Sequence, residues 1–359
     1  MKKTVACLLI ALFLISLGCH QQPNGPQGSS TTQAPQNTAG NLSRDTESQH
    51  LQQSAEDRQY KNVRFDDAGN LPEVSSVRLY ARDFLPFAPD DIVKAFSPYT
   101  AVSYQQMDDD WIKFSTSVKG TDISLYPGWL VYETPDDENI NRLFHDDESR
   151  DDYSAELFAS GEELPFLSRK EAENQFVQIA SQLGISEKIG SLKIYTLTAG
   201  SLEVAIEKRC KSAEQTREEM FDYKFFPECY VITASLVKDG IPILFQSIDY
   251  HTKDWFIDRT YVRAILSEKG LIHFLVNGYW FGEPLGEAQA PIPLEEAKRR
   301  VDEKFDLLIL SEPIHITKAQ FSYVPTNDTL IPAYGFCYAQ DDGLPLWIYI
   351  NAITGEQII

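Results

Sequence analysis

The chain has 359 residues, a formal net charge of −21 and five cysteines. Acidity on that scale repels nucleic-acid phosphates and anionic lipid headgroups, which excludes nucleic acid as an expected partner. Hydrophobic residues make up 43% of the chain, enough for a sizeable core, yet no run beyond the N-terminus is long and apolar enough to span a bilayer.

At the N-terminus, Lys2 and Lys3 precede an apolar run from Thr4 to Leu17. The run is the size of a signal-peptide core and short for a transmembrane helix. It stops at Gly18-Cys19. This arrangement resembles bacterial lipoprotein signals, in which a small residue precedes the cysteine that is cleaved to position one and lipidated. Beyond Cys19 the chain is rich in Gln, Asn, Ser, Thr, Pro and Gly, as in His20-Gln21-Gln22-Pro23-Asn24-Gly25-Pro26. Such a segment buries too little apolar surface to offset its ordering entropy. Residues 1–18 are therefore expected to be a signal peptide and 19–59 a disordered polar tether. The resemblance implies a lipid on Cys19 that holds the chain at the extracytoplasmic face of the cell membrane, two acyl chains sufficing for stable anchoring.

Residues 60–160 are expected to form an N-terminal α+β lobe. Strand-like runs lie at Val77–Tyr80, Trp111–Val118 and Trp129–Tyr132, with a short helix over Pro89–Phe96. Asp108-Asp109-Asp110 fits a loop entering a strand. In the acidic run Asp136–Asp152, the residues Asp137, Asn139, Asn141, Leu143, His145 and Glu148 occupy positions 1, 3, 5, 7, 9 and 12 of a calcium loop. The sixth position, where the sharp turn needs glycine, is Arg142. The run is read as a solvated loop, and no metal site is assigned.

Residues 161–290 open on a capping box, Ser168 with Glu171 three residues on, followed by Ala172, Phe176, Ile179 and Leu183 at helical spacing and a stop at Gly184. Strand-like runs follow at Leu192–Thr198, Leu202–Lys208, Tyr230–Val237 and Ile243–Ile248. Tyr261–Leu266 and Leu271–Tyr279 form a further hairpin, turned at Glu268-Lys269-Gly270. Residues 291–359 open at Pro293 with a helix whose apolar face is Leu294, Ala297, Val301 and Phe305. Strands are expected at Ile314–Val324, Ile331–Ala339 and Leu346–Asn351. A turn recurs in both stretches: Asp239-Gly240-Ile241-Pro242 and Asp342-Gly343-Leu344-Pro345, where Asp-Gly between strands marks a hairpin.

Outside the signal and Cys19 three cysteines remain, Cys210, Cys229 and Cys337. Cys210 and Cys229 flank a polar segment that a disulfide would close, while three unbridged thiols suit the sequence equally well. The histidines are scattered: His273 and His315 lie in strand-like runs as packed or surface residues. Phosphate-binding loops, His-Glu-x-x-His and Gly-x-Ser-x-Gly are all missing, so no catalytic residue and no cofactor is assigned. Aromatics are abundant. Tyr279-Trp280-Phe281 could form an exposed platform for a sugar or a partner, and Trp347 and Tyr349 share one face of a strand; core and sheet-face packing is the plainer reading of these aromatics, and burial separates the two.

Pro332, Tyr334, Leu346-Trp347-Ile348-Tyr349-Ile350-Asn351 and Thr354-Gly355-Glu356 resemble the end of a PepSY-like module, and Pro293-Leu294-Glu295-Glu296-Ala297 resembles the start of its helix. The wider layout is similar to the YycH and YycI proteins, extracytoplasmic regulators of a sensor kinase, and to a group of clostridial lipoproteins. The resemblance implies an α+β fold of antiparallel sheets with helices packed on one face, built from duplicated PepSY-like units. It also implies a non-enzymatic module that binds an envelope protein or peptide. A glycan-binding surface lipoprotein is the alternative. Replacing the lipidated residue, Cys19→Ser, is expected to abolish incorporation of labelled palmitate and to release the chain from the membrane fraction.

Overall fold

The structure, a computed structural model, describes residues 60–66, 71–108, 111–145, 154–221, 226–244, 260–339 and 345–358. Its strands are β1 (Val63–Phe65), β2 (Val77–Phe84), β3 (Val102–Asp108), β4 (Trp111–Thr116), β5 (Asp122–Tyr126), β6 (Trp129–Glu133), β7 (Ile189–Leu197), β8 (Cys229–Lys238), β9 (Ile241–Pro242), β10 (Tyr261–Ser267), β11 (Gly270–Asn277), β12 (Tyr279–Gln289), β13 (Ile314–Pro325), β14 (Thr329–Ala339), β15 (Pro345–Asn351) and β16 (Gln357–Ile358). The α-helices are α1 (Pro89–Phe96), α2 (Glu138–Leu143), α3 (Arg169–Gln182), α4 (Ala199–Ala213), α5 (Arg217–Met220) and α6 (Leu294–Lys304). Among the described residues no helix is long and apolar enough to cross a membrane.

The strands form two seven-stranded sheets and a separate β3–β4 hairpin. The first sheet runs β1-β13-β14-β15-β16, with β2 pairing both β14 and β12. Its ladders are antiparallel except for β1, which lies parallel to β13. The second sheet is an antiparallel array in the order β5-β6-β11-β10-β8-β7, with the short β9 folded back on β8.

The residue pattern explains why the second sheet is buried on both sides. Tyr230, Ile232, Val262, Ala264, Phe274, Val276, Leu130 and Tyr132 alternate onto one face, where they meet Ile92 and Phe96 of α1 and Phe176 and Ile179 of α3. Phe96 stacks on Tyr132 at 4.9 Å. Cys229, Val231, Leu197 and Ile265 point the other way, onto Ile140 and Leu143 of α2, Phe144, Phe158, and Leu202 and Ile206 of α4. The helices thus cover both faces of this sheet, where the sequence suggested one. In the first sheet, Phe336, Ile348 and Ile350 pack with Ala297 and Val301 of α6 and with Phe305 beyond it, the apolar stripe expected from the sequence.

Several local expectations hold. Ser168 and Glu171 form the capping box of α3, and Gly184 follows its end at φ +69°. Asp239 and Gly240 both take positive φ in the β8–β9 turn, as a two-residue hairpin demands. The corresponding Asp342-Gly343 lies outside the described residues.

Others are corrected. Leu202–Lys208 is not a strand but the middle of α4: Leu-Glu-Val-Ala-Ile-Glu satisfies both periods, and a capping box at Thr198 and Ser201 selects the helix. Residues 60–160 are not a lobe of their own. β1 and β2 belong to the first sheet, β5 and β6 to the second, and the described residues all fall in one compact unit. The helix-plus-strands plan recurs at α3–β7 and α6–β13, but α4 intervenes before β8. Ile243 and Leu244 bridge to Tyr323 of the first sheet, and the rest of the expected strand Ile243–Ile248 lies outside the described residues.

The expected strand Leu271–Tyr279 is also broken in two. β11 ends at Asn277 in the second sheet and β12 begins at Tyr279 in the first, so one residue makes the crossing. That residue is Gly278, at φ +134°, with its N–H donating to the Gly128 carbonyl at 2.9 Å. A Cβ there would stand 2.5 Å from the Thr260 Cα, where backbone cannot give way. Gly278→Ala is expected to lower stability by about 2–4 kcal/mol, from backbone strain and overlap together, read as a lower denaturant midpoint at unchanged slope.

Candidate binding cleft and the buried carboxylate–histidine cluster

Among the described residues, β5 is the edge strand of the second sheet: it pairs with β6 on one side and with no strand on the other. Beside that edge stands β4, whose one ladder among the described residues is with β3. The space between them is a cleft of about 180 Å³ lined by Ile112, Lys113, Phe114 and the whole of β5. The β3–β4 hairpin is tied down near its base on both strands. Tyr104 donates its hydroxyl to Asp90 of α1 at 3.0 Å, which pushes the Tyr104 pKa up. Thr116 donates to the Thr121 carbonyl at 2.7 Å. Tyr104, Met107, Val118 and Tyr126 are large apolar side chains left exposed around this region. A second, broader groove of about 520 Å³ lies between α6 and the end of β15, lined by Arg300, Lys304 and the Thr354-Gly355-Glu356 turn.

Where β6 ends, a polar cluster is built into the sheet. His273 on β11 lies opposite Glu133 on β6, and Asp137 at the start of α2 reaches back to them. The His273 Nδ1 and the Asp137 Oδ2 stand 2.7 Å apart, both side chains buried. Asn141 donates to the same carboxylate oxygen at 3.0 Å. Among the described residues this is the one group of three whose donor atoms converge within 4.8 Å, the set that could hold a cation. The Asp137 oxygen is already engaged by His273 and Asn141, however, so the geometry is that of a hydrogen-bonded pair bracing α2 against the sheet. Burial first, and then the charge of Asp137, holds the Glu133 carboxyl above its ordinary pKa.

The residues singled out from sequence fare unevenly. Tyr279 and Phe281 are buried and Trp280 is half-buried, so Tyr279-Trp280-Phe281 is not an exposed platform. The crossing at Gly278 carries these rings into the core, where Tyr279 stacks on Phe84 and Phe281 meets Tyr80 and Tyr323 edge-on. Cys210 and Cys229 are both free thiols: Cys229 is buried at the start of β8, where burial pushes its pKa up, and Cys210 sits half-exposed near the end of α4. Trp347 and Tyr349 do share a face, with rings stacked at 6.0 Å, and the Tyr349 ring lies over Gly335, where any Cβ would meet it at 2.8 Å. His315 is half-exposed and 3.3 Å from Asp66. The acidic run is not solvated loop throughout. Asp137 and Asn139 are buried and Glu138–Leu143 is helical, since Ile140 and Leu143 have a core to enter. Glu148, Asp109, Asp110 and Cys19 lie outside the described residues.

The cleft and the cluster both escaped sequence reasoning. Asp122–Tyr126 alternates weakly, and the five residues carry no turn signal that marks an edge. Glu133 and Asp137 are four residues apart, but His273 reaches them through strand register, which leaves no spacing to find.

No family model matches the sequence, and no curated protein matches it. A similar fold occurs in a solved structure of an uncharacterized protein from Eubacterium rectale ATCC 33656, with a TM-score of 0.56 and 17% identity, covering 80% of this chain and 86% of that one. At that identity the likeness is one of fold alone.

The raised Glu133 pKa fixes the sign of a pH effect. The folded chain holds this proton more tightly than the unfolded chain. The associated stability is therefore present in full below the unfolded pKa and lost as pH rises through the folded one. Glu133→Gln, which stays neutral, is expected to resist denaturant better than the parent at pH 7 and to match it below about pH 4. Equal midpoints at both pH values would show that water reaches the carboxylate freely.

Proposed function

We propose that the chain is an exported lipoprotein, anchored at the extracytoplasmic face of the cell membrane through Cys19, whose folded body binds an extended segment of an envelope protein or peptide without chemistry on it. The cleft between β4 and β5 is the observation that carries this reading. A strand inserted there would take main-chain hydrogen bonds from the open side of β5 and set alternate side chains against Ile112, Phe114 and Leu125. The exposed Tyr104, Met107 and Tyr126 would widen the apolar contact. The cleft is lined by Lys113, Asp122 and Tyr126 as its titratable groups, with no histidine or cysteine, which favours binding over catalysis. The glycan-binding alternative rested on Tyr279-Trp280-Phe281 and loses its support with the burial of Tyr279 and Phe281.

Selection of random peptides on the full chain is expected to enrich sequences alternating apolar and polar residues. Their binding should slow amide exchange within 122–126. Tyr126→Ser, at an exposed position, is expected to weaken such a peptide about tenfold with the melting temperature unchanged. Protection confined to the groove beside Arg300 and Glu356 would move the site there, and unprotected β5 amides in every complex would end this reading.

A further inference from the structure

The most exposed apolar side chains among the described residues are not in the cleft. They are Leu307, Leu308 and Ile309, with relative exposures of 96%, 56% and 103%, consecutive in the loop between α6 and β13. Three adjacent large aliphatic side chains in water are a liability that a folded surface seldom carries without use. The loop is not a frayed end. Phe305 before it is buried and Leu310 after it packs on the main core, so both flanks are pinned. The Leu308 N–H donates to the Phe305 carbonyl at 3.0 Å, which closes the turn. The fold therefore holds the three side chains outward on a fixed base.

The N-terminal segment enters the folded body at the same place. β1 begins at Val63, paired with Ile314, the first residue of β13. Just before it, Asn62 donates to the Asp306 carboxylate at 2.9 Å and Lys61 stands 3.7 Å from the same group. Asp306 is the residue that precedes Leu307. Lys61 and Asn62 thus pass beside the base of the apolar tip, while Tyr60 donates its hydroxyl to Glu295 at the start of α6 at 2.6 Å.

We propose that Leu307, Leu308 and Ile309 insert into the lipid bilayer that carries the chain's own N-terminal anchor, fixing the orientation of the body on the membrane; the proposal rests on the lipoprotein reading of Cys19. The anchor raises the local concentration of lipid at the tip, so weak insertion suffices. Electrostatics does not drive it. Asp302, Asp306 and Glu312 lie within five residues of the tip and outnumber Lys304 and Lys61, the latter 3.7 Å from Asp306, so the insertion is apolar and gains nothing from anionic lipid. A docked body presents its membrane side at the α6–β13 loop and leaves the rest of its surface to partners.

The test uses the full mature chain, lipidated, and in parallel its unlipidated Cys19→Ser form. An environment-sensitive dye is placed on Ile309→Cys with Cys210→Ser removing the half-exposed native thiol. With phosphatidylcholine vesicles, both forms are expected to show a blue-shifted emission quenched by brominated acyl chains, the unlipidated form at higher lipid concentration. Added phosphatidylglycerol should not strengthen the signal. Leu307→Ser with Leu308→Ser should raise the lipid needed for half-maximal signal about tenfold or more in the unlipidated form. An unshifted dye at saturating lipid, on lipidated chains that sediment with the vesicles, overturns the proposal. So does a blue shift without vesicles that grows with protein concentration, which would make the tip a contact between two copies. A mature chain whose mass carries no lipid, with the dye still shifted by vesicles, overturns the anchor and supports the tip.

Discussion

A single residue separates the two sheets where β11 becomes β12, and the rest of the architecture follows from how Gly278 makes that step. At φ +134° it turns the chain sharply enough for Asn277 to stay in the second sheet and Tyr279 to enter the first. Its missing side chain lets it lie against the backbone of Thr260. Because the crossing is so short, the two sheets share one continuous core. The residues from Phe274 and Val276 on one side to Tyr279, Phe281 and Tyr323 on the other belong to it, joined by edge-on ring contacts. A longer connection would have allowed two separate cores, one for each of the helix-plus-strands stretches. Ile243 and Leu244 add a second tie between the sheets at Tyr323.

The second sheet then has no solvated face to spare. Its inner strands are apolar at nearly every position, as β8, β10 and β11 illustrate, because α1 and α3 cover one side and α2 and α4 the other. Within this dry setting a polar side chain needs a local partner. His273 and Asp137 provide one for each other, at the point where the short α2 is joined to the sheet. Glu133 belongs to the same cluster and is partly withdrawn from solvent beside Asp137, which raises its proton affinity.

Function is proposed for the places where this burial stops. Among the described residues, β5 is where the ladder ends with an unpaired side, and the neighbouring β3–β4 hairpin narrows the opening into a cleft without sealing it. The loop Leu307–Ile309 is where apolar side chains are held outward by two buried flanks. The two features differ in kind. The cleft combines main-chain groups with apolar walls and suits an extended chain. The tip offers aliphatic side chains alone, beside the entry of the N-terminal segment, and suits a lipid surface. On the proposed reading the first faces a partner and the second faces the membrane.

The sequence by itself determined those features whose physical cause is local. The capping box at Ser168, the stop at Gly184, the Asp239-Gly240 turn and the apolar stripe of α6 depend on neighbours a few residues away, and each could be read without knowing the fold. The strands over 314–325, 329–339 and 345–351 were legible for the same reason, since alternation and turn residues bound them. What tertiary structure alone decided is which of two compatible patterns wins and which distant residues meet. Leu202–Lys208 fits both a strand and a helix, and the capping box with the surface offered by Val231 and Cys229 settles it as helix. Tyr279-Trp280-Phe281 suits a platform or a core as a tripeptide, and the crossing at Gly278 buries Tyr279 and Phe281. His273 lies 136 residues from Asp137 in sequence, and strand register, a long-range property, brings it to Glu133 and Asp137. The exposure of Leu307-Leu308-Ile309 is likewise a tertiary fact, set by the pinned turn at Phe305.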